Sequence, residues 1–97
     1  MNSYDLSSLA RLDLRKIWIF TAEKWGRRKA DDYLQQIRSM IETLDHDHSI
    51  AVQFDPLDPN LRRRLVGSHA IFYRVVGGKT WVIRILHQTM DVGSHLN

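Results

Sequence analysis

The stretch that decides the fold is AIFYRVVGGKTWVIRILH, residues 70–87. Both sides of Gly77-Gly78 are rich in the β-branched and aromatic side chains that favour strands. The two glycines supply the positive φ angles of a two-residue hairpin turn. We therefore predict an antiparallel hairpin in which Val76 lies opposite Lys79.

This register assigns the faces of the hairpin. It places Phe72 opposite Ile83 on a face that is nearly all apolar, and this face is expected to receive the helices. The opposite face carries Tyr73 and Arg84 among aliphatic residues. Such a half-polar surface is suited to a partner.

Two amphipathic helices are predicted upstream. Ser7 or Ser8 is a good N-cap, and Gly26 is a natural terminator between the two helices. The first helical stripe consists of Ala10, Leu14, Ile17, Trp18, Thr21 and Trp25. The second consists of Ala30, Tyr33, Leu34, Ile37, Met40, Ile41 and Leu44. Because the connection is so short, we expect an antiparallel helical hairpin that buries both stripes, including the two tryptophans.

The order of elements predicts an α+β fold, β-α-α-β-β-β, with a short N-terminal strand, an antiparallel helical hairpin and a three-stranded antiparallel sheet. We expect one domain over residues 1–97. The helical hairpin covers about 8–45, the sheet about 61–88 and a C-terminal tail 89–97.

Residues 45–60, DHDHSIAVQFDPLDPN, are predicted to form a loop because prolines, aspartates and an asparagine interrupt any period. Asp45-His46-Asp47-His48 contains metal-ligand side chains. These residues are adjacent in sequence, however, and nothing nearby completes a cage. We therefore expect no metal site, and no cofactor.

Composition limits the class of protein. A chain of 97 residues has room for one core, and 43% hydrophobic with 26% charged residues is typical of a globular domain. The absence of cysteine excludes disulfides and thiolate metal sites. No run approaches the ~18 apolar residues that span a bilayer, and the N-terminus lacks a signal-peptide apolar region. We expect a cytoplasmic protein with no membrane contact.

The net charge of +3 is unevenly distributed. Residues 1–60 hold eight Lys/Arg and ten Asp/Glu, a net of −2, whereas residues 61–97 hold six Lys/Arg and one Asp, a net of +5. Two interpretations stay open at this point. The C-terminal half meets an acidic partner, or its arginines only solubilise exposed strand faces.

Taken together, the motifs resemble the ParE toxins of bacterial type II toxin–antitoxin modules, in the wider RelE/ParE superfamily. The specific combination is GSHxIFYRV, residues 67–75, followed by RILHQxMD, residues 84–91. The helical hairpin contributes Asp13-Leu14, Ile17, Thr21-Ala22-Glu23, Trp25-Gly26, Ala30 and Tyr33-Leu34. The resemblance extends from Tyr4 to Leu96.

The resemblance implies a toxin that inhibits DNA gyrase by binding it, with stalled replication and DNA breaks as the result. It further implies neutralisation by a ParD-type antitoxin, whose acidic C-terminal segment folds on binding. DNA would be contacted only indirectly, through the antitoxin. We predict target contacts in the last strand and tail, at Arg84, His87, Gln88, Met90 and Asp91. We predict antitoxin contacts at Arg62, Arg64, Tyr73 and Arg84.

A catalytic alternative follows from the same superfamily. RelE relatives cut messenger RNA on the ribosome, and here Arg74, Arg84 and His87 would be the candidate catalytic residues. The lysine cluster and C-terminal tyrosine of RelE proteins have no evident match, which favours a non-enzymatic inhibitor. A third possibility is a toxin that has lost activity and serves as an antitoxin-bound corepressor. The triple arginine 62–64 matches no family role.

Overall fold

Two long helices lie on one face of a five-stranded sheet in the computed structural model, which describes residues 4–47, 49, 51–55, 58–90 and 92–96. The elements are β1 (Tyr4–Leu6), α1 (Ser8–Trp25), α2 (Arg27–His46), β2 (Val52–Asp55), β3 (Asp58–Val66), β4 (His69–Val76), β5 (Lys79–His87) and α3 (Val92–Leu96). The strand order is β1-β5-β4-β3-β2, with β1 parallel to β5 and the other pairs antiparallel. The predicted α+β fold is confirmed. Within the described residues, no helix is both long and apolar enough to cross a membrane.

The connection predicted as a loop contains a strand. α2 continues to His46, and β2 then pairs with β3, placing Gln53 opposite Arg62. The loop prediction was wrong here: residues 52–55, VQFD, do alternate apolar and polar residues, but the prolines and aspartates around them were given more weight than this short pattern. The sheet therefore has five strands. β3, β4 and β5 lie in the middle, β2 forms one edge and β1 forms the other.

The entry into α1 ties the helices to the sheet. Ser7 is the N-cap, since its Oγ accepts a hydrogen bond from the Ala10 N–H at 2.9 Å. The same hydroxyl donates to the Ile83 carbonyl at 2.6 Å. Gly26, at φ +93°, is the single residue between α1 and α2. The predicted helical hairpin and both of its boundary residues are confirmed.

A β-bulge shifts the register of the central hairpin. Val76 lies opposite Lys79 and Tyr73 opposite Val82, as predicted. Beyond that point β5 carries one extra residue, so that Phe72 lies opposite Arg84. The predicted pairing of Phe72 with Ile83 was wrong, because a bulge leaves one residue of the longer strand without an opposite partner.

The bulge accompanies a reversal of the predicted faces. Tyr73 and Val82 are fully buried beneath the helices, where Ile37 and Ile41 of α2 pack in the same cluster. Phe72, assigned to the helix face from the sequence, lies in a second cluster instead. That cluster consists of Leu61, Ala70, Phe72 and Leu86, with Ile83 and Leu96 packed against it. Each fully buried large apolar side chain contributes roughly 1.5–3 kcal/mol, so both faces stabilise the sheet.

We expect Gly67→Ala to destabilise the protein more than Gly77→Ala. Both glycines have nearly the same positive φ, +56° and +58°. A Cβ on Gly67 would lie 2.6 Å from Cε1 of Tyr33, whereas a Cβ on Gly77 has nothing within 4 Å. The clash should cost about 1–2 kcal/mol beyond the shared backbone strain. Urea unfolding of the two variants measures the difference, and equal free energies of unfolding would contradict it.

Candidate functional site

A groove of about 910 Å³ lies where the C-terminal half of α1 and the start of α2 meet the ends of β4 and β5. We call it the groove. Its walls are largely apolar, with Phe20 and Trp25 from α1 and Met90 from the tail. Its lining comprises Lys16, Ile17, Phe20, Thr21, Lys24, Trp25, Lys29, Tyr33, Ser68, His69, His87, Thr89 and Met90.

Two aromatic side chains on α1 face solvent in the groove. Phe20 is 56% exposed and Trp25 61% exposed. Trp25 was predicted to lie in the core, but the last buried residue of α1 is Thr21, so the final turn of the helix projects past the core. Phe20 was missed altogether, although a large apolar residue on the outer side of an amphipathic helix is a recognisable signal.

Lysines surround these rings. Lys24 Nζ lies 5.3 Å from the centroid of Phe20 and 5.4 Å from that of Trp25, within cation–π range. Lys16 and Lys29 also line the groove, and all three lysines are exposed. None of them forms a salt bridge within the part of the chain that the structure describes. The groove thus combines an apolar surface with positive charge.

The floor of the groove is polar. The Tyr33 hydroxyl is 2.6 Å from His69 Nδ1 and accepts a hydrogen bond from the Ser68 N–H at 3.1 Å. His69 and His87 lie opposite each other on β4 and β5, with ring centroids 5.3 Å apart in an edge-to-face arrangement. Burial, with repulsion from His87, lowers the pKa of His69 to about 4, so this ring is neutral at pH 7.

Arg84, predicted to contact both the target and the antitoxin, has a side chain that is only 14% exposed. Its Nε and Nη2 donate to the two carboxylate oxygens of Asp13 at 2.8 and 2.9 Å, and these bonds raise the pKa of Arg84. The Asp13 carboxylate also accepts the Ile85 N–H at 3.0 Å. Arg84 Nη1 donates to the His95 carbonyl of α3 at 3.1 Å. Arg84 therefore joins α1, the sheet and α3.

Two further cations of the basic half are paired in the same way. Arg74 donates to both oxygens of Asp58 at 2.8 and 2.6 Å, and Lys79 lies 2.7 Å from Asp5. Together with Arg84, at least three of the six cations after residue 60 bind aspartates from residues 1–60. Part of the positive charge of residues 61–97 therefore forms ion pairs with residues 1–60 of the same chain.

The arginines of β3 do not form one patch. Arg62 and Arg64 lie opposite Tyr73 and Ile71, on the helix face, whereas Arg63 lies opposite Phe72 on the other face. All three arginines are half-buried and lie outside the lining of the groove. Tyr73, predicted to contact the antitoxin, is fully buried, because the helices cover its face of the sheet.

The predicted target residues of the tail lie close to the groove. His87 and Met90 line it, and Met90 is 45% exposed. Gln88 is exposed, and its Nε2 donates to the Gly67 carbonyl at 2.9 Å. Asp91 lies outside the described residues.

The Asp45–His48 segment at the end of α2 shows no metal geometry in its described part. The Asp45 carboxylate accepts a hydrogen bond from Thr80 Oγ1 at 2.8 Å, which ties the end of α2 to β5. Asp47 accepts bonds from the N–H and hydroxyl of Ser49. His48 lies outside the described residues. Among those that are described, no three His, Asp or Glu side chains gather in a way that could hold a metal ion.

Known proteins resemble this chain along almost its whole length. The family model for the ParE toxin of the type II toxin–antitoxin system parDE matches residues 4–92. Toxin ParE1 of Caulobacter vibrioides is 36% identical over 96 residues, 99% of each chain. Toxin ParE1 of Mycobacterium tuberculosis is 38% identical over 94 residues, 96% of each chain. A solved structure of the chromosomal ParDE TA system from P. aeruginosa matches with a TM-score of 0.76 at 21% identity, covering 90% of this chain and 96% of the other.

Proposed function

Because the chain belongs to the ParE toxin family of type II toxin–antitoxin systems, we propose that it acts in the cytoplasm by binding and inhibiting DNA gyrase, and that a ParD-type antitoxin neutralises it. The observation that carries a binding mechanism is the groove, since its exposed aromatic rings and lysines form a surface for another protein. DNA is contacted only through the antitoxin.

The groove suits an acidic amphipathic segment. Phe20, Trp25 and Met90 offer an apolar surface for one face of a helix, and this is a common mode of peptide recognition. Lys16, Lys24 and Lys29 offer charge for the acidic side chains of the other face. A disordered acidic segment gains both contacts when it folds there. The main antitoxin contact then lies on the helices and not on the sheet, where it was predicted. Arg62 and Arg64 are secondary contacts.

A binding function also agrees with the placement of the candidate catalytic residues. Arg74 is five residues from His69 along β4, and His69 lies opposite His87, so about 17 Å of strand separates Arg74 from the histidine pair. The guanidinium groups of Arg74 and Arg84 both bind aspartates. RNA cleavage needs cations beside the acid–base group, where they stabilise the negative charge of the phosphate in the transition state. The arrangement therefore supports inhibition by binding rather than RNA cleavage.

We propose that the target and the antitoxin share part of one surface. His87 and Met90 line the groove, and Gln88 lies next to them in the chain. Arg84, three residues before His87 in β5, binds Asp13 of α1. An antitoxin segment in the groove would cover these residues, so that the toxin could not hold both partners. We propose Asp91 as a further contact on the basis of sequence alone.

We expect the purified toxin to inhibit DNA supercoiling by gyrase and Met90→Glu to weaken that inhibition about tenfold, since a charge at an exposed apolar contact opposes docking. A supercoiling assay at increasing toxin concentration measures the effect. Val76→Glu is the matched control, because Val76 is 58% exposed at the far end of the hairpin. Unchanged supercoiling at micromolar wild-type toxin would exclude gyrase. Transcript cleavage that His87→Ala abolishes would favour the nuclease instead.

A further inference from the structure

Two histidines face each other across neighbouring strands at the floor of the groove. His69 begins β4, His87 ends β5, and the two are register partners. Directly opposite residues in an antiparallel pair have Cβ atoms about 4.5–5.5 Å apart, which allows their side chains to share one ligand. The ring centroids lie 5.3 Å apart.

Each ring is oriented through the same nitrogen. Nδ1 of His69 is 2.6 Å from the Tyr33 hydroxyl, and Nδ1 of His87 is 2.8 Å from Thr89 Oγ1. Neither Nε2 has a hydrogen-bond partner among the described residues. A hydrogen bond at one ring nitrogen with the other left open is the usual state of a metal-binding histidine.

From this geometry we propose that His69 and His87 form a binding site for a divalent transition-metal ion of the zinc type. Imidazole nitrogens bind Zn²⁺ at 2.0–2.1 Å, and two imidazoles on one tetrahedral ion have centroids about 5 Å apart. The spacing of the two rings matches this arrangement. The remaining coordination positions are open to the groove and take water. Imidazole ligands also accommodate Ni²⁺ and Cu²⁺.

The hydrogen bonds around the rings permit the required tautomer. A ligating Nε2 carries no proton, so Nδ1 must carry one and donate it. The Tyr33 hydroxyl can accept from His69 while donating to the Val66 carbonyl, 3.4 Å away. At His87 the Thr89 hydroxyl accepts, and the longer 3.2 Å contact with the Thr89 N–H is given up.

Calorimetric titration of the full chain with ZnCl₂ tests the site. We expect binding of one ion per chain and a loss of affinity of at least tenfold in both His69→Gln and His87→Gln. Glutamine keeps a polar side chain at each position, and circular dichroism with thermal unfolding verifies that the variants fold. The resonances of the His69 and His87 rings in ¹⁵N NMR spectra should shift on zinc addition, which a purely structural role would not produce.

The sequence-adjacent histidines are the matched control. We expect His46→Gln/His48→Gln to leave the zinc affinity within twofold of the wild type. The proposal is overturned if this variant loses zinc binding while His69→Gln/His87→Gln keeps it, or if the wild type does not bind zinc. The titration contains neither antitoxin nor gyrase, so its outcome is separate from that of the toxin function.

Discussion

Asp13→Ala is expected to lower the free energy of unfolding by about 3–5 kcal/mol, because it removes one partner of a buried ion pair. The side chains of Asp13 and Arg84 are only 9% and 14% exposed. Among the described residues, the alanine would leave the guanidinium with the His95 carbonyl as its remaining acceptor, and it would remove the acceptor of the Ile85 N–H. An unsatisfied buried N–H alone costs about 1–3 kcal/mol. Urea or thermal unfolding measures the loss.

Asp58→Ala is the control for this prediction. Asp58 makes the same two-bond contact with Arg74, but the two side chains are 30% and 37% exposed. Exposed ion pairs contribute little to stability, so Asp58→Ala should cost much less than Asp13→Ala. Equal destabilisation by the two substitutions would show that Asp13 does not hold α1 to the sheet. Asp13→Asn should lose less than alanine, since an amide oxygen can still accept the Ile85 N–H.

The position of Asp13 has a simple geometric cause. β1 pairs with β5 only as far as Leu6 opposite Val82, and α1 then begins at Ser8. Beyond Val82, no strand in the described part of the chain pairs with this edge of β5, so its N–H groups need other acceptors. The Asp13 carboxylate supplies one at Ile85. In the sequence Asp13 stood out only as part of the Asp13-Leu14 motif, and its partner became evident only with the fold.

Local signals were sufficient for much of the fold. The Gly77-Gly78 turn, a serine cap at Ser7 or Ser8 and the Gly26 junction were all predicted, because each depends on the conformational preferences of one or two residues. The sheet faces were not predictable in the same way. Both faces of β4 are apolar, and alternation can identify the buried face only when the other face is polar.

The bulge in β5 creates the His69–His87 pair, which the sequence could not predict. Under a regular two-residue hairpin, His69 would lie opposite Leu86. The extra residue at Ile83 moves His87 into that place and creates the histidine pair. A bulge depends on tertiary packing, and Ile–Arg–Ile has no turn residue to signal it. The groove likewise depends on how far α1 extends past the core, which a helical stripe does not reveal.

The largest effect on partner binding is expected from the aromatic wall of the groove. We expect Phe20→Ala/Trp25→Ala to weaken the complex with the cognate antitoxin about 10²–10³-fold, or about 3–4 kcal/mol. Large exposed aromatic side chains that become buried in an interface usually carry most of its binding energy. Since both side chains are more than half exposed, the free energy of unfolding of the toxin alone should change little. Calorimetry with the antitoxin's acidic segment measures the loss.

Leu9→Ala/Leu12→Ala is the matched control for the groove. Both leucines lie on α1 and are 51% and 41% exposed, yet neither lines the groove. Their removal should change the antitoxin affinity less than threefold.

Raising the salt concentration should weaken the wild-type complex. The variant Lys16→Ala/Lys24→Ala/Lys29→Ala should show a smaller salt dependence, because these lysines supply the charge that faces the acidic segment. If the leucine pair and the aromatic pair had equal effects, the antitoxin would have to bind elsewhere on the helices.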